Sequence, residues 1–222
     1  MQSNWLMVAA AVGLGLTHTL LAPNHYLPFI MIGKARKWSL SKTVLITFLC
    51  SMGHIIGSLV IALVAVLFGV AVSHIEVIEG YRANIAAWGL ILFGLGYFIW
   101  GLRAAKHNHS CCEHVHTDKN DVKSLTPFIL FMIFLFAPCE AWIPIMMFPA
   151  ITDVPVFVFL VALAFGFTTS IVMMITVALG YKGIELLPFK KWEKYGHAIA
   201  GFVILACGIF VEVMGHLHPH AH

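Results

Sequence analysis

Long apolar blocks separated by short polar segments dominate the chain. Six blocks are of the length a helix needs to cross a hydrocarbon core, about 20 residues. They run from Trp5 to Ile32, Thr43 to Val72, Ile85 to Leu102, Pro127 to Ile151, Val154 to Gly180 and His197 to Met214. Blocks this long with so few charges exclude a soluble helical bundle. The pattern predicts an all-α integral membrane protein of six transmembrane helices. No basic side chain precedes the first block, where a cleavable signal peptide would carry one. That block is therefore expected to stay as a span.

Two blocks contain prolines where a membrane helix would be mid-span. One reads Leu21-Ala22-Pro23-Asn24-His25-Tyr26-Leu27-Pro28, the other Leu135-Phe136-Ala137-Pro138-Cys139-Glu140-Ala141-Trp142-Ile143-Pro144. Proline removes a backbone hydrogen bond and breaks a helix, so breaks are expected at Pro23, Pro28, Pro138 and Pro144. Ala22 to His25 parallels Ala137 to Glu140. Weaker parallels link Gly53 to Ser58 with Gly166 to Ser170, and Gly89 to Tyr97 with Gly201 to Ile209. The six spans thus divide into two inverted three-helix repeats, the common plan of secondary transporters. The expected organisation is residues 1–104 as the first repeat, 105–125 as a His/Cys-rich loop, 126–215 as the second repeat and 216–222 as a His-containing tail.

Composition sharpens this. Charged residues make up 10% of the chain, against about 25% in an average soluble domain. The basic residues are unevenly placed. Lys34, Arg36, Lys37 and Lys42 fall in the first loop, Arg103, Lys106, Lys119 and Lys123 in the third, and Lys182, Lys190, Lys191 and Lys194 in the fifth. Only Arg82 lies in the second. The positive-inside rule puts loops 1, 3 and 5 in the cytoplasm and both termini outside a plasma (inner) membrane. A net charge of +3 points to no nucleic-acid partner. The cysteines Cys50, Cys111, Cys112, Cys139 and Cys207 do not form a secreted disulfide framework.

Ionisable residues inside apolar blocks are costly in lipid and mark function. His18 and His25 are two helical turns apart on one face, with Asn24 beside the second. Pro23 loosens the backbone between them. His54 follows Gly53 in the second block. Cys139 and Glu140 adjoin the Pro138 break. Imidazole and thiolate suit transition metals, and a carboxylate can bind metal or relay a proton. Thr168, Thr169 and Ser170 are candidate lining residues, and Glu212 reads as interfacial. The third loop carries His107, His109, Cys111, Cys112, His114 and His116, whose spacing fits no closed zinc finger and suggests flexible metal capture. The tail alternates His216, His218, His220 and His222 with other residues. No phosphate-binding glycine-lysine motif, Gly-x-Ser-x-Gly or zincin motif is present.

At Pro138-Cys139-Glu140 through Pro144 the chain resembles the LysE/DsbD-type membrane superfamily. That group includes NicO-like nickel/cobalt exporters, sulfite-exporter-like proteins and the thiol-disulfide conduits DsbD and CcdA. The resemblance covers all six spans in layout and spans 1 and 4 in motif. The conduits are similar in placing Pro-Cys in both equivalent helices, but here Asn24 stands where the second thiol would be. Nickel/cobalt transporters are similar in having two first-helix histidines and a His-rich polar loop. Their motif has an acidic residue or glycine before the second histidine and a slightly shorter gap.

The expectation is a secondary transporter, not an enzyme. It would carry a divalent transition-metal ion (Ni, Co or Zn class) out of the cell. Its midplane site would comprise His18, Asn24, His25, His54, Cys139 and Glu140, with the amide assisting the imidazoles, thiolate and carboxylate. Its partners would be the metal ion, the lipid bilayer and, in a homo-oligomer, its own copies. A transmembrane thiol-disulfide conduit, a small-anion (sulfite-like) exporter and an intramembrane metalloenzyme are the rivals.

Overall fold

The structure, a computed structural model, describes residues 2–67, 72–107, 121–137, 155–185 and 194–217. Side chains are described over 5–60, 77–106, 125–137, 160–185 and 194–215. Among these residues the chain is all-helical. The elements are α1 (Gln2–Leu21), a 3-10 turn (Pro23–His25), α2 (Leu27–Ala35), α3 (Leu40–Leu67), α4 (Val72–His107), α5 (Asp121–Phe136), α6 (Pro155–Glu185) and α7 (Gly196–Leu217).

The first apolar block is broken where its proline predicts. Proline disfavours a helical residue before it, and Ala22 has φ −101° and ψ 87°. Pro28 does not make a second break. It lies in the first turn of α2, where a missing N–H costs nothing because no intrahelical acceptor awaits it. The second proline-bearing block behaves alike on its described side, with α5 ending at Phe136 just before Ala137-Pro138. Pro138 and Pro144 themselves lie outside the described residues.

Helix ends follow local chemistry. Lys37 closes α2 with φ 53°, the left-handed residue of a Schellman-type ending. Trp38 N donates to Gly33 O at 2.9 Å and Lys37 N to Lys34 O at 3.1 Å. Ser39 then caps α3, its Oγ accepting from Lys42 N at 3.2 Å. Helix α4 begins well before the apolar block that predicts it, at Val72 rather than Ile85. Arg82, read from sequence as a loop residue, is therefore inside a helix and buried.

Helix α4 packs along α7, α1 against α6, and α3 against both α5 and α6, while α2 reaches α7 and α6. The α4–α7 contact is unusually close. A Cβ on Gly201 would stand 2.2 Å from Phe98 N, one on Gly94 2.4 Å from Leu205 N, and one on Gly101 2.3 Å from Ala198 N. Gly208 likewise meets the α4 backbone at Ile91. Apolar burial adds nothing between helices already in lipid, so backbone-to-backbone contact through small residues is what holds such pairs.

Among the described residues an apolar core is threaded by buried polar side chains, and many large apolar side chains lie outside. Thr43, Thr47, Ser51, His54 and Ser58 are all buried on one stripe of α3, joined by Thr19, His25, Glu79, Arg82, Thr169 and Ser170 elsewhere. Leu92, Phe167, Leu179 and Phe202 are among many large apolar side chains on the surface. Among the described residues four helices are long and apolar enough to cross a membrane: Leu40–Val60, Val77–Lys106, Leu160–Glu185 and Gly196–Gly215. The shorter apolar helices Trp5–Leu21 and Leu125–Phe136 belong to the two proline-bearing blocks. This arrangement is compatible with a multi-pass membrane protein.

Replacing Gly201 by Ala should lower stability by about 1–3 kcal/mol, the usual cost of overpacking. Gly96→Ala on α4 is the control, because nothing lies within 4 Å of its added Cβ. Thermal unfolding of the two variants in detergent should separate them, with Gly96→Ala at or above the parent.

Candidate functional site

The break in the first block turns two histidines toward a third. His18 occupies the last turn of α1, His25 ends the 3-10 turn, and His54 lies midway along α3. The ring centroids of His18 and His25 are 5.0 Å apart and those of His25 and His54 5.9 Å, each pair edge to face. Phe165 of α6 borders the cluster, 6.3 Å from the His18 ring. His25 is 6% exposed and His54 3%.

Each ring has a buried nitrogen without a hydrogen-bond partner: His18 Nε2, His25 Nδ1 and His54 Nε2. A buried polar atom left unpaired costs about 1–3 kcal/mol, and native structures rarely tolerate it. Three such atoms lie within this one cluster.

The tautomer of His54 follows from its other nitrogen. Nδ1 lies 3.3 Å from the carbonyl oxygen of Phe134. A carbonyl only accepts, so Nδ1 carries the proton and Nε2 presents its lone pair to the cluster. Ligating histidines are commonly oriented in this way. Phe134 O is one of the carbonyls exposed where α5 stops. Arg82 serves the others, its Nη2 donating to Leu135 O at 3.0 Å and Ala137 O at 3.4 Å. Its Nη1 donates to Glu79 Oε1 at 2.5 Å. Gly57 permits this approach, since a Cβ there would fall 2.9 Å from Leu135 O. The ring of Phe29 in α2 also packs on Phe134 at 4.7 Å. His54 thus touches the first break through His25 and the end of α5 through Phe134.

Asn24 is half-buried in the same turn, and its amide makes no hydrogen bond to the described residues. Cys139 and Glu140 lie outside the described residues, two and three positions beyond Ala137. The same holds for His109, Cys111, Cys112, His114, His116, His218, His220 and His222, and for the side chains of His107 and His216. Cys50 and Cys207 are free and buried in helix packing, Cys50 against the cluster that includes Phe29. Glu212 is half-buried beside Asn84, whose amide nitrogen, suitably oriented, donates to its two carboxylate oxygens at 3.0 and 3.2 Å.

Among the described residues no set of three or more His, Cys, Asp or Glu is arranged to hold a metal ion. Zinc needs imidazole nitrogens at about 2.0–2.1 Å. The trio would have to turn its rings inward to reach that distance.

Beside the cluster, His54, Ile55, Ser58, Leu59, Ala162, Phe165, Gly166 and Thr169 line a small, mostly apolar and partly open cavity of about 20 Å³. Ser58 Oγ and Thr169 Oγ1 are buried and unpartnered there. Thr168 bonds its own helix instead, at Ala164 O, 2.8 Å. Ser170 faces Ser51 with the two hydroxyl oxygens 2.5 Å apart.

Sequence reasoning missed Arg82, Glu79, Ser51 and Ser58. A signal existed for each. Opposite charges three apart at Glu79 and Arg82 fit one helix face, and Ser51, His54 and Ser58 share a helical stripe. No family model matches the chain, and neither does any curated protein or solved structure.

Arg82→Gln should destabilise the fold by about 3 kcal/mol or more, since it takes the guanidinium from Glu79 and from two carbonyls at once. Arg82→Lys should recover little, because an ammonium cannot reach three acceptors in a planar fork. Unfolding in detergent measures both.

Proposed function

We propose that the chain is a secondary transporter of six spans, built from two inverted three-helix repeats, that carries a divalent transition-metal ion out across the plasma membrane. The observation that carries this reading is the buried trio His18, His25 and His54, with one unpartnered nitrogen on each ring. Imidazole is the commonest transition-metal ligand, and a cluster of unpaired imidazoles in an apolar bundle has few other uses.

Depth supports a midplane site. The nine residues of α2 rise about 13 Å, roughly half of the ~30 Å hydrocarbon core. The break beside His25 then sits mid-bilayer if Lys34, Arg36 and Lys37 mark the cytoplasmic face. Packing supports the repeat. In the inverted scheme α1–α2, α3 and α4 correspond to the α5 block, α6 and α7. The contact of α1 with α6 then has its counterpart in that of α5 with α3, while α3–α6 and α4–α7 pair across the axis. Gly94 and Gly101 on α4 are seven apart, as are Gly201 and Gly208 on α7.

Cys139 and Glu140 follow the end of α5 and would complete the ligand set from the second break, with Asn24 assisting from the first. Glu140 would exchange a proton as the ion leaves, since binding to such ligands is proton-linked. The loop from His107 to His116 would gather the ion on the cytoplasmic side. The two first-helix histidines and the His-rich loop, by which the chain resembles nickel/cobalt transporters, agree with this assignment. The thiol-conduit alternative draws no support from Cys50 and Cys207, which are packed away in the core.

The purified chain should bind Ni²⁺ with His25→Ala and His54→Ala each weakening affinity at least tenfold, by equilibrium dialysis in detergent. Flux into vesicles should fall in parallel. If neither change alters binding or flux, the histidine cluster is not an ion site.

A further inference from the structure

Helical hydroxyls commonly bond their own backbone. Thr19, Thr43, Thr47 and Thr168 each donate to the carbonyl four residues back, at 2.7, 3.0, 2.9 and 2.8 Å. Ser51 and Ser170 meet each other instead. Ser58 and Thr169 do neither. Ser58 Oγ and Thr169 Oγ1 are buried without partners, and so is Nε2 of His54, the polar atom of that ring not engaged with Phe134 O. His54, Ser58 and Thr169 are 3%, 4% and 2% exposed. All three line the same cavity of about 20 Å³ between α3 and α6, where Leu59, Ala162 and Phe165 help make the rest of the wall apolar.

We propose that this cavity binds one water molecule, held by His54 Nε2, Ser58 Oγ and Thr169 Oγ1. A water needs at least ~10–15 Å³ of free space and two to four polar partners. The cavity offers that space about once. The three atoms supply the partners, and they are of complementary kind. With its proton on Nδ1, His54 presents Nε2 as a pure acceptor, so the water donates one hydrogen there. A hydroxyl both donates and accepts, so Ser58 and Thr169 take the second hydrogen and fill a lone pair of the water. Without it three buried polar atoms go unpaired at once, which native structures rarely tolerate. The apolar remainder of the wall gives a second water nothing to bond. The effect falls on His54. The water occupies the Nε2 lone pair from the α3–α6 side, so an ion entering the histidine trio takes that nitrogen in exchange for the water. The water site itself does not rest on the transporter reading.

Exchanging a hydroxyl for a methyl group of similar size tests the site by the sign of the effect. A hydroxyl that holds water stabilises the fold, whereas a buried hydroxyl with nothing to bond is better replaced by an apolar group of the same shape. Thr169→Val should therefore lower the melting temperature in detergent by about 2–4 °C, the shift that corresponds to one hydrogen bond of ordinary strength in a chain of this size. A melting temperature that stays level or rises overturns the proposal. X-ray radiolysis of the parent chain gives a reading that needs no variant. A held water yields a hydroxyl radical in place, which oxidises the side chains around it. Phe165 in the cavity wall, 4% exposed, should be oxidised at least about fivefold faster than Phe29, which is 0% exposed and not part of that wall. Removing both hydroxyls, as Ser58→Ala with Thr169→Val, should bring Phe165 down to the Phe29 rate. Equal rates in the parent, or a fast Phe165 that the double variant leaves unchanged, overturn the proposal as well.

Discussion

Backbone hydrogen bonding at the helix breaks is the constraint on which the rest of this structure depends. In a bilayer no water stands ready to meet an exposed carbonyl or amide, so irregular backbone survives only where protein satisfies it. The end of α5 exposes carbonyls at Phe134, Leu135 and Ala137. His54 takes the first and Arg82 the other two. Those two side chains come from α3 and α4, so the end of α5 is stitched to both of those helices. Glu79 in turn holds Arg82, which keeps the guanidinium charge paired inside an apolar bundle.

The same constraint prepares the chemistry. Because Phe134 O engages Nδ1 of His54, the lone pair on Nε2 is left for the space shared with His25 and His18. A helix end that would otherwise be a cost becomes the device that orients the His54 imidazole. The prolines act at a distance from their own residues. Pro23 ends α1 so that His18 and His25, which an unbroken helix would keep about two turns apart, approach to 5.0 Å between ring centres.

Around this irregular centre stands a more regular frame. Helices α4 and α7 meet through glycine at backbone distance, a contact that leaves little freedom to slide. The α3–α6 contact differs, since it is polar at one end, open at the other, and contains the cavity. The second pair is the one that borders the histidines.

Much of this was legible in the residues. Long apolar blocks, the break at Pro23, the end of α5 before Pro138, and the placing of His18, His25 and His54 within apolar blocks all follow from local rules. A proline acts on its own backbone, and an imidazole in an apolar block is costly wherever the block packs. Arg82 was misplaced for the converse reason. A charged residue beside an apolar run reads as loop unless its partners are known, and its partners are Glu79 on its own helix and carbonyls more than fifty residues away. Only the tertiary structure brought His54 between the two broken segments, fixed its tautomer, and left Ser58 and Thr169 without partners while Ser51 found Ser170. Hydrogen-bond satisfaction between helices depends on which faces meet, and a sequence shows the faces without the meeting.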